Sequence, residues 1–417
     1  MIFNPDIFRA YDIRGLYGQE FDDEFAYQFG IVLVEFLQAR KIVIAHDMRD
    51  TSATLAGKMI EGITHAGCDV VNIGVTSTPL CYFGVINEGA DGGVMITASH
   101  LGDEYNGFKP VGKDAVVIGG DNDNFDILKQ MLRTRRVEPL MPKGKVISKD
   151  IKADHTEAVI KASGIKPMQF KRRVKLEANS MIVDELGAIL LELGVTMDYN
   201  NPDIIFTCDP DGDRIQVGDK DNIKVRGDIL GAIIARSYFK GQAMVHDVKF
   251  SHSVLDYVKH HNITPILSKT GHAFIKQTMR DNDAEFGAEF SGHYMFKAMG
   301  FVESVALTMV LILYLLEITD TDAKTLTSSI DSWFNSGEIE YGLSELPRSM
   351  DEILAEFKEK YPEGGINELD GVDITYPDWR MLIRPSSTHP AVICIVEAKT
   401  KELFEQKKQE LIDLLTH

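Results

Sequence analysis

Two stretches of this chain follow one local plan, and a third follows it less clearly. Each has an apolar run, a polar turn and an amphipathic segment closed by a small or polar residue. The clear copies begin at Ile42 and Ala243, and both carry His-Asp-x-(Arg/Lys) where the apolar run ends; the weaker copy begins at Val174. Short apolar runs that alternate with helical periodicity predict βα units. We therefore predict three tandem related α/β domains with mixed, mostly parallel sheets.

The C-terminal region departs from this plan. Strand-like and helical segments follow one another there in the order β-α-β-β-β-α, which predicts an α+β domain with an antiparallel sheet and helices on one face. A polar, glycine-containing stretch at residues 335–338 precedes it. Because 417 residues are too many for one core, several domains are expected. We place them at residues 1–140, 141–222, 223–335 and 336–417.

Charge and apolar pattern exclude several classes of partner. The net charge of −19 argues against nucleic acid and anionic membranes, which both require a positive surface. The longest apolar run, residues 305–316, is too short to span a bilayer and predicts a buried helix. The first residues lack the basic and apolar regions of a signal peptide, and the four cysteines lack metal-ligand spacing. We expect a cytoplasmic protein with buried free thiols.

A polar loop follows the strand-like run at residues 92–96. It begins Thr97-Ala98-Ser99-His100. In open α/β sheets, reactive side chains gather where loops leave the carboxyl ends of strands. Ser99 therefore occupies a position expected of a nucleophile, although Ser-His is also an ordinary way to begin a loop.

Three carboxylates alternate along a second loop, at Asp209, Asp211 and Asp213. Hard oxygen ligands that converge from one turn suit Mg²⁺. A solvated turn and a calcium loop are the alternatives. The calcium-loop pattern requires a Glu six residues after its glycine, and Gly218 holds that position when counted from Gly212. This excludes the calcium loop and leaves the magnesium site and the solvated turn open.

These two loops resemble those of the α-D-phosphohexomutase family, which includes phosphomannomutase and phosphoglucomutase. Four further segments agree with the family, in its order along the chain. They are Phe8-Arg9-Ala10-Tyr11-Asp12-Ile13-Arg14-Gly15, Thr270-Gly271-His272, Gly287-Ala288-Glu289-Phe290-Ser291-Gly292-His293 and Arg384-Pro385-Ser386-Ser387-Thr388-His389-Pro390. Six segments in a fixed order are far more specific than any one of them.

The resemblance implies a catalytic centre. The implied ligands of Mg²⁺ are a phosphorylated Ser99 with Asp209, Asp211 and Asp213. Lys109 and His100 are the implied catalytic acid and base residues, because a base must take the proton of the attacking sugar hydroxyl. A lysine beside arginine and Mg²⁺ is expected to have a lowered pKa. The alternative is that Lys109 only pairs with phosphate.

The resemblance also implies residues that bind the substrate. They are Tyr11, Arg14, Arg214, Lys249, Gly271, His272, Glu289, Ser291, His293, Arg384, Ser386, Ser387 and Thr388. Glu289 and Ser291 would contact sugar hydroxyls, and Phe290 between them favours mannose or glucose over glucosamine. Arg384 and its loop would hold the phosphate that is not transferred. An interdomain ion pair for Arg14 and structural roles for the two histidines remain open.

The implied reaction is reversible phosphoryl transfer between O1 and O6 of a hexose phosphate, mannose or glucose, through a phosphoserine and a 1,6-bisphosphate. Hexose 1-phosphate and 6-phosphate, Mg²⁺, the bisphosphate as activator, and a monomer or weak homodimer are expected. The chain departs from the family at Leu101-Gly102, in place of Asn-Pro, and at His389, in place of Glu. The alternatives are a phosphoglucosamine mutase, a phosphatase or phosphotransferase with an Asp nucleophile, and a non-catalytic sugar-phosphate-binding protein.

Overall fold

The structure, a computed structural model, describes residues 1–120, 122–134, 142–328, 330, 333–386 and 390–416. The chain forms two compact units. The first contains Met1–Lys224 and His293–Ala323, and the second contains Val225–Gly292 and the chain from Lys324 onward. The four domain boundaries given above remain predictions.

The first sheet has six strands in the order β1-β5-β4-β2-β3-β6. The strands are β1 (Ile13–Leu16), β2 (Lys41–His46), β3 (Asp69–Val75), β4 (Gly92–Ile96), β5 (Tyr105–Gly112) and β6 (Val146–Ser148). The helices are α1 (Asp23–Leu37), α2 (Ser52–His65), α3 (Thr78–Asn87) and α4 (Asn124–Thr134). Strands β2, β3, β4 and β6 are parallel, whereas β5 is antiparallel to β4 and β1. Aromatic rings at Phe25, Phe29 and Phe108 pack in the core beneath it.

A second sheet follows within the same unit, in the order β10-β9-β7-β8. Its elements are α5 (Lys152–Ser163), β7 (Arg173–Glu177), α6 (Ser180–Glu192), β8 (Thr196–Met197), β9 (Ile204–Cys208) and β10 (Ile215–Asp219). Strand β7 is parallel to β8 and β9, whereas β9 and β10 form an antiparallel hairpin. The loop of this hairpin, residues 209–214, carries the three alternating carboxylates.

The second unit begins with a parallel βα arrangement. Its elements are α7 (Gly227–Tyr238), β11 (Ala243–Asp247), α8 (His252–His260), β12 (Thr264–Ser268), α9 (His272–Asp281) and β13 (Phe286–Ala288). Strand β11 pairs in parallel with β12 on one side and β13 on the other. The predicted third α/β copy is therefore confirmed as a parallel sheet.

Residues 293–323 return to the first unit. They form the antiparallel pair β14 (Tyr294–Phe296) and β15 (Val302–Glu303), followed by helix α10 (Val305–Thr319). Ser304 caps α10, because its hydroxyl accepts a hydrogen bond from Leu307 N at 3.1 Å. The helix is apolar on nearly every side and packs against α5, which confirms the predicted buried helix.

The C-terminal sheet is antiparallel throughout, as predicted. Its elements follow a short helix α11 (Ala323–Thr327) and are β16 (Phe334–Asn335), β17 (Ile339–Gly342), α12 (Met350–Lys360), β18 (Gly365–Asn367), β19 (Val372–Thr375), β20 (Trp379–Pro385), β21 (Ala391–Ala398) and α13 (Lys401–Thr416). The order is β16-β21-β20-β19-β18, with β17 also paired to β21. Strand β18 was not expected, because three mostly exposed residues carry no apolar alternation. Of the polar stretch at residues 335–338, Asn335 belongs to β16 and residues 336–338 connect β16 to β17.

Two further expectations concern apolar segments and thiols. Within the described residues, none of the helices combines the length and apolar character needed to cross a bilayer. All four cysteines are free thiols; Cys68, Cys81 and Cys394 are buried and Cys208 is partly buried.

Candidate active site

Ser99 lies just beyond the end of β4, as its sequence position predicted. The residue is 1% exposed and has φ +56°, in the left-handed region that non-glycine residues adopt at a cost. Its N–H donates to Thr97 Oγ1 at 2.9 Å, and its Oγ is 3.3 Å from His100 Nδ1. The strained backbone presents a buried hydroxyl next to an imidazole.

The carboxylates of Asp209, Asp211 and Asp213 converge, with ligand oxygens within 4.8 Å of one another. Gly212 between them has φ +71°, and a Cβ there would lie 3.0 Å from Ser77 Cβ, so the turn favours glycine. Buried oxygens Oδ2 of Asp209 and Oδ1 of Asp211 have no hydrogen-bond partner among the described residues. Three clustered carboxylates that include two such oxygens fit the donor set of a Mg²⁺ ion.

Lys109 reaches this cluster from β5. Its Nζ lies 2.6 Å from Asp211 Oδ2 and 2.6 Å from Asp213 Oδ2, and all three side chains are at least 97% buried. Burial alone lowers the pKa of Lys109, but the two carboxylates outweigh it and the pKa is raised. The two anions that contact the ammonium directly raise the pKa in this arrangement, whereas the expected lowering depends on arginine and a bound Mg²⁺. Strand register explains the placement, since Lys109 pairs with Met95 on β4, near the start of the Ser99 loop.

Side chains of two other segments, Thr78 and His293, contact the carboxylate cluster. Thr78, at the start of α3, donates its hydroxyl to Asp211 Oδ2 at 2.7 Å and its N–H to Asp211 O at 2.8 Å. His293 Nε2 lies 3.2 Å from Asp213 Oδ1. His293 therefore contacts the predicted metal loop, which its sequence position alone did not indicate.

Positive charge surrounds His100. Arg14 is buried and pairs with Asp12, whose Oδ2 lies 2.8 Å from Nε and 2.6 Å from Nη2. Arg214 N donates to Asp209 Oδ1 at 3.0 Å. Burial first, and then the charges of Arg214 and Arg14, lower the pKa of His100 to about 4. Tyr11, which precedes Asp12, is 9% exposed.

The second unit brings together another group of predicted residues. Glu289 Oε1 accepts a hydrogen bond from Gly271 N at 2.7 Å, and its Oε2 accepts one from Ser291 Oγ at 3.0 Å. Gly271 has φ +126°, a backbone conformation that favours glycine. His272 follows as the first residue of α9 and is 4% exposed. The loop after β13 is thus tied to the start of α9.

Lys249 lies beyond the end of β11, in the position that the His-Asp-x-Lys pattern indicates. Its Nζ donates to Glu338 Oε1 at 2.9 Å, lies 3.7 Å from Asp247 Oδ2, and sits 5.6 Å from the centre of the Phe290 ring. Burial raises the pKa of Asp247 to about 7, against the lowering effect of Lys249. Lys249 therefore lies next to the loop that carries Glu289.

Arg384 is 4% exposed near the end of β20 and forms an ion pair with Asp370. Asp370 Oδ2 accepts hydrogen bonds from Arg384 Nε at 3.0 Å and from Thr270 N at 2.9 Å. Gly371 has φ +80°, and a Cβ there would lie 2.5 Å from Arg384 Cβ. Ser386 N donates to Ala391 O at 2.8 Å. Ser387, Thr388 and His389 lie outside the described residues.

Sequence reasoning missed several residues of this site. Thr78 and Asp370 were not predicted, and Asp12 was noted only as part of a matched segment. The Asp370-Gly371 pair is a turn signal that could have drawn attention to this position. Thr78 offered no comparable signal, since its contact with Asp211 depends on how α3 packs.

A serine loop, a buried carboxylate cluster and cation-bearing loops at strand ends define an α/β enzyme of phosphoryl transfer. The models of phosphoglucomutase/phosphomannomutase alpha/beta/alpha domain I, domain III and the C-terminal domain match residues 5–136, 226–334 and 343–414. The chain belongs to the phosphoglucomutase/phosphomannomutase family and is a mutase.

A relative supports this assignment, and two solved structures share the fold. A phosphomannomutase of Escherichia coli is 30% identical, with 98% of each chain covered. A phosphoglucomutase/phosphomannomutase family protein of Burkholderia thailandensis has the same fold, with a TM-score of 0.84, 24% identity, and 99% and 97% of the two chains covered. A structure of Aspergillus fumigatus N-acetylphosphoglucosamine mutase in complex with GlcNAc-6P and magnesium has a TM-score of 0.56 and 13% identity, with 90% of this chain and 77% of that one covered.

Proposed function

We propose that this enzyme moves a phosphoryl group reversibly between O1 and O6 of a hexose phosphate through a phosphoserine at Ser99 and a hexose 1,6-bisphosphate. The observation that carries the proposal is the arrangement around Ser99. A buried serine at a strand end lies in the same unit as a carboxylate cluster with a lysine bound to it. Membership of a mutase family supports the reaction class.

The first half of the reaction breaks the bond between Ser99 Oγ and phosphorus as the free sugar hydroxyl bonds to that phosphorus. The proton of the hydroxyl passes to His100, or to Lys109 when its side chain is in the neutral amine form. After the sugar turns over, the bond between its other oxygen and phosphorus breaks, the Ser99 phosphate re-forms and the proton returns to the released oxygen.

The carboxylates of Asp209, Asp211 and Asp213, with the phosphate on Ser99, would hold Mg²⁺. When bound, the ion draws negative charge from the transferring phosphoryl group. The unpartnered oxygens of Asp209 and Asp211 support this role. Lys109 bonds only Oδ2 of Asp211 and Oδ2 of Asp213, so its ammonium does not occupy the two oxygens proposed for the ion.

The second unit would bind the sugar and the phosphate that is not transferred. Glu289 and Ser291 offer an acceptor and a hydroxyl to the sugar, with Gly271 and His272 beside them. Lys249 and Arg384 would bind phosphate, together with Ser386, Ser387 and Thr388. In the first unit, the residues proposed to bind substrate are Tyr11, Arg14, Arg214 and His293. Phe290 favours mannose or glucose, and a glucosamine substrate is the alternative. We place the enzyme in the cytoplasm as a monomer or weak homodimer.

A coupled mutase assay with mannose 1-phosphate, glucose 1-phosphate and glucosamine 1-phosphate tests this proposal, together with phosphosite mapping. We expect phosphate on Ser99, turnover of the mannose and glucose substrates, and a loss of turnover of roughly three orders of magnitude or more in Ser99→Ala. Ser328→Ala, at an exposed serine, is the control and should behave like the parent. Full activity of Ser99→Ala, or phosphate on another residue, would contradict the phosphoserine; binding without turnover would indicate a non-catalytic protein.

A further inference from the structure

The guanidinium of Arg49 donates to three carbonyls of the loop that carries Ser99 and to a fourth at the start of β5. Nη2 donates to Ser99 O at 2.7 Å and to Leu101 O at 2.8 Å. Nη1 donates to Gly102 O at 2.7 Å and to Tyr105 O at 3.2 Å. Nε donates to Asp47 Oδ2 at 3.2 Å. An arginine side chain has five N–H donors, so the loop and Asp47 together use all of them.

The aspartate behind this contact is buried, and its N–H donates to Ile96 O at 3.0 Å, at the end of β4 before the loop. Asp47 is 3% exposed, and its Oδ1 accepts hydrogen bonds from Ser52 Oγ at 2.6 Å and Arg49 N at 3.1 Å. Ser52 Oγ also accepts a hydrogen bond at 2.9 Å from Nδ2 of Asn106, the second residue of β5. The Arg49 side chain is 8% exposed. The position of the guanidinium is therefore set by packing as well as by charge.

The Ser99 loop needs such support. Ser99 adopts φ +56°, which costs on the order of 1 kcal/mol for a residue with a Cβ. Residues 99–104 lie in no strand or helix, so no sheet or helix organises their carbonyls. Backbone N–H groups reach two of them, from Tyr105 to Gly102 O at 3.1 Å and from Tyr17 to Glu104 O at 3.2 Å. Arg49 donates to the carbonyls of Ser99, Leu101 and Gly102 and to Tyr105 O at the start of β5.

The repeated motif shows why arginine suits this position. In both copies the histidine Nδ1 contacts the carbonyl of the following aspartate, at 2.8 Å for His46 and 2.9 Å for His246. The cation then differs: Lys249 presents a point charge to the carboxylate of Glu338. An ammonium has three donors and no planar fork, so it cannot serve four carbonyls spread along a loop.

We propose that Arg49 is a positioning residue that fixes the Ser99 loop, and thereby the placement of Ser99 Oγ, during turnover. It acts on the backbone of the loop and contacts no substrate. The consequence for catalysis rests on the proposed role of Ser99, whereas the effect of Arg49 on the loop is independent of that role.

The test compares Arg49→Lys and Arg49→Ala with the parent and with Asp50→Asn, an exposed neighbouring residue, as the control. Amide hydrogen exchange of residues 99–106 should be at least about tenfold faster in both Arg49 variants and unchanged in the control. With mannose 1-phosphate, kcat should fall on the order of 100-fold while KM changes little, because a misplaced nucleophile affects the chemical step. Millimolar guanidinium chloride should partly restore kcat of Arg49→Ala and leave Arg49→Lys unchanged, because the lysine side chain fills the space.

Unchanged loop exchange in Arg49→Lys would overturn the inference, even if activity fell. A rise in KM with unchanged kcat would overturn it as well, since it would make Arg49 a binding group. If Arg49→Ala does not fold, Arg49→Lys provides the same two readouts. Failure of the phosphoserine proposal is recognised separately, by phosphosite mapping and by the activity of Ser99→Ala.

Discussion

The Lys109 ammonium lies 2.6 Å from the Asp211 carboxylate, and no more than 3% of either side chain is exposed. Asp213 accepts from the same ammonium at 2.6 Å. Removing one partner of a buried ion pair leaves a charge without compensation, and this costs far more than the pair contributes. Lys109 therefore stabilises the carboxylate cluster of the candidate metal site, in addition to any part in proton transfer.

We predict that Lys109→Met destabilises the first unit by about 3–5 kcal/mol. Mg²⁺ should raise the melting temperature of this variant more than that of the parent, because a cation offsets the uncompensated negative charge of the cluster. Thermal unfolding with and without Mg²⁺ measures both effects, with Lys113→Met at an exposed position as the control. Asp211→Asn should lose the Mg²⁺-dependent shift. Equal stability of Lys109→Met and parent would contradict the prediction.

We predict that Arg384→Ala mainly raises KM. A bidentate, charge-assisted contact with phosphate contributes about 1.5–3 kcal/mol, which corresponds to a roughly 10- to 150-fold rise. Because the contact exists in the ground state and the transition state alike, kcat should change little. The bisphosphate should also escape more often, which assays with and without added hexose bisphosphate reveal. A normal KM with a collapsed kcat would place Arg384 at the transferring phosphate instead.

A variant of Asp370 gives a second test of Arg384, because Asp370 Oδ2 lies 3.0 Å from Arg384 Nε. Asp370→Asn should also raise KM, but by a smaller factor than Arg384→Ala. The double variant should be less impaired than the sum of the two, since both act through one guanidinium. Glu368→Gln, at a nearby carboxylate that is 58% exposed and pairs with Lys358, is the matched control. Additive effects would show that Asp370 acts independently.

His155 gives the fold a dependence on pH. Burial of this side chain on α5, against the Phe83 ring, lowers its pKa from 6.5 to about 4. Unfolded chains bind a proton below about pH 6.5 that the folded chain does not accept until about pH 4, so stability falls as the pH falls through this window. At pH 7 both states are mostly neutral and the contribution is small.

We predict that His155→Gln loses less stability than the parent between pH 7 and pH 5. The two losses in the free energy of unfolding should differ by about 2 kcal/mol, because between pH 7 and pH 5 the unfolded parent gains a proton on His155 that the folded parent does not. Urea unfolding at the two pH values, followed by a signal from the first unit, measures it. His260→Gln, on the exposed end of α8, should keep the pH dependence of the parent. Parallel slopes for His155→Gln and parent would refute the assignment.

Local pattern in the sequence was sufficient for the parts of the structure that depend on neighbours along the chain. Apolar runs predicted β2, β4 and β11 because strands bury short continuous segments, and the apolar stretch at residues 305–316 predicted α10. Strand ends predicted where Ser99 and the carboxylate cluster lie. The family segments are local too, since each places its reactive residues within one loop.

Packing between distant segments decided the rest. Lys109 meets Asp211 across 102 positions, Asp370 meets Thr270 across 100, and Arg49 meets Ser99 across 50. No periodicity or turn signal encodes such pairs, because they depend on strand register and on which elements pack together. The same reason explains the raised pKa of Lys109. Its sequence neighbours do not include the two carboxylates that contact it, and only the tertiary structure brings all three side chains into one buried space.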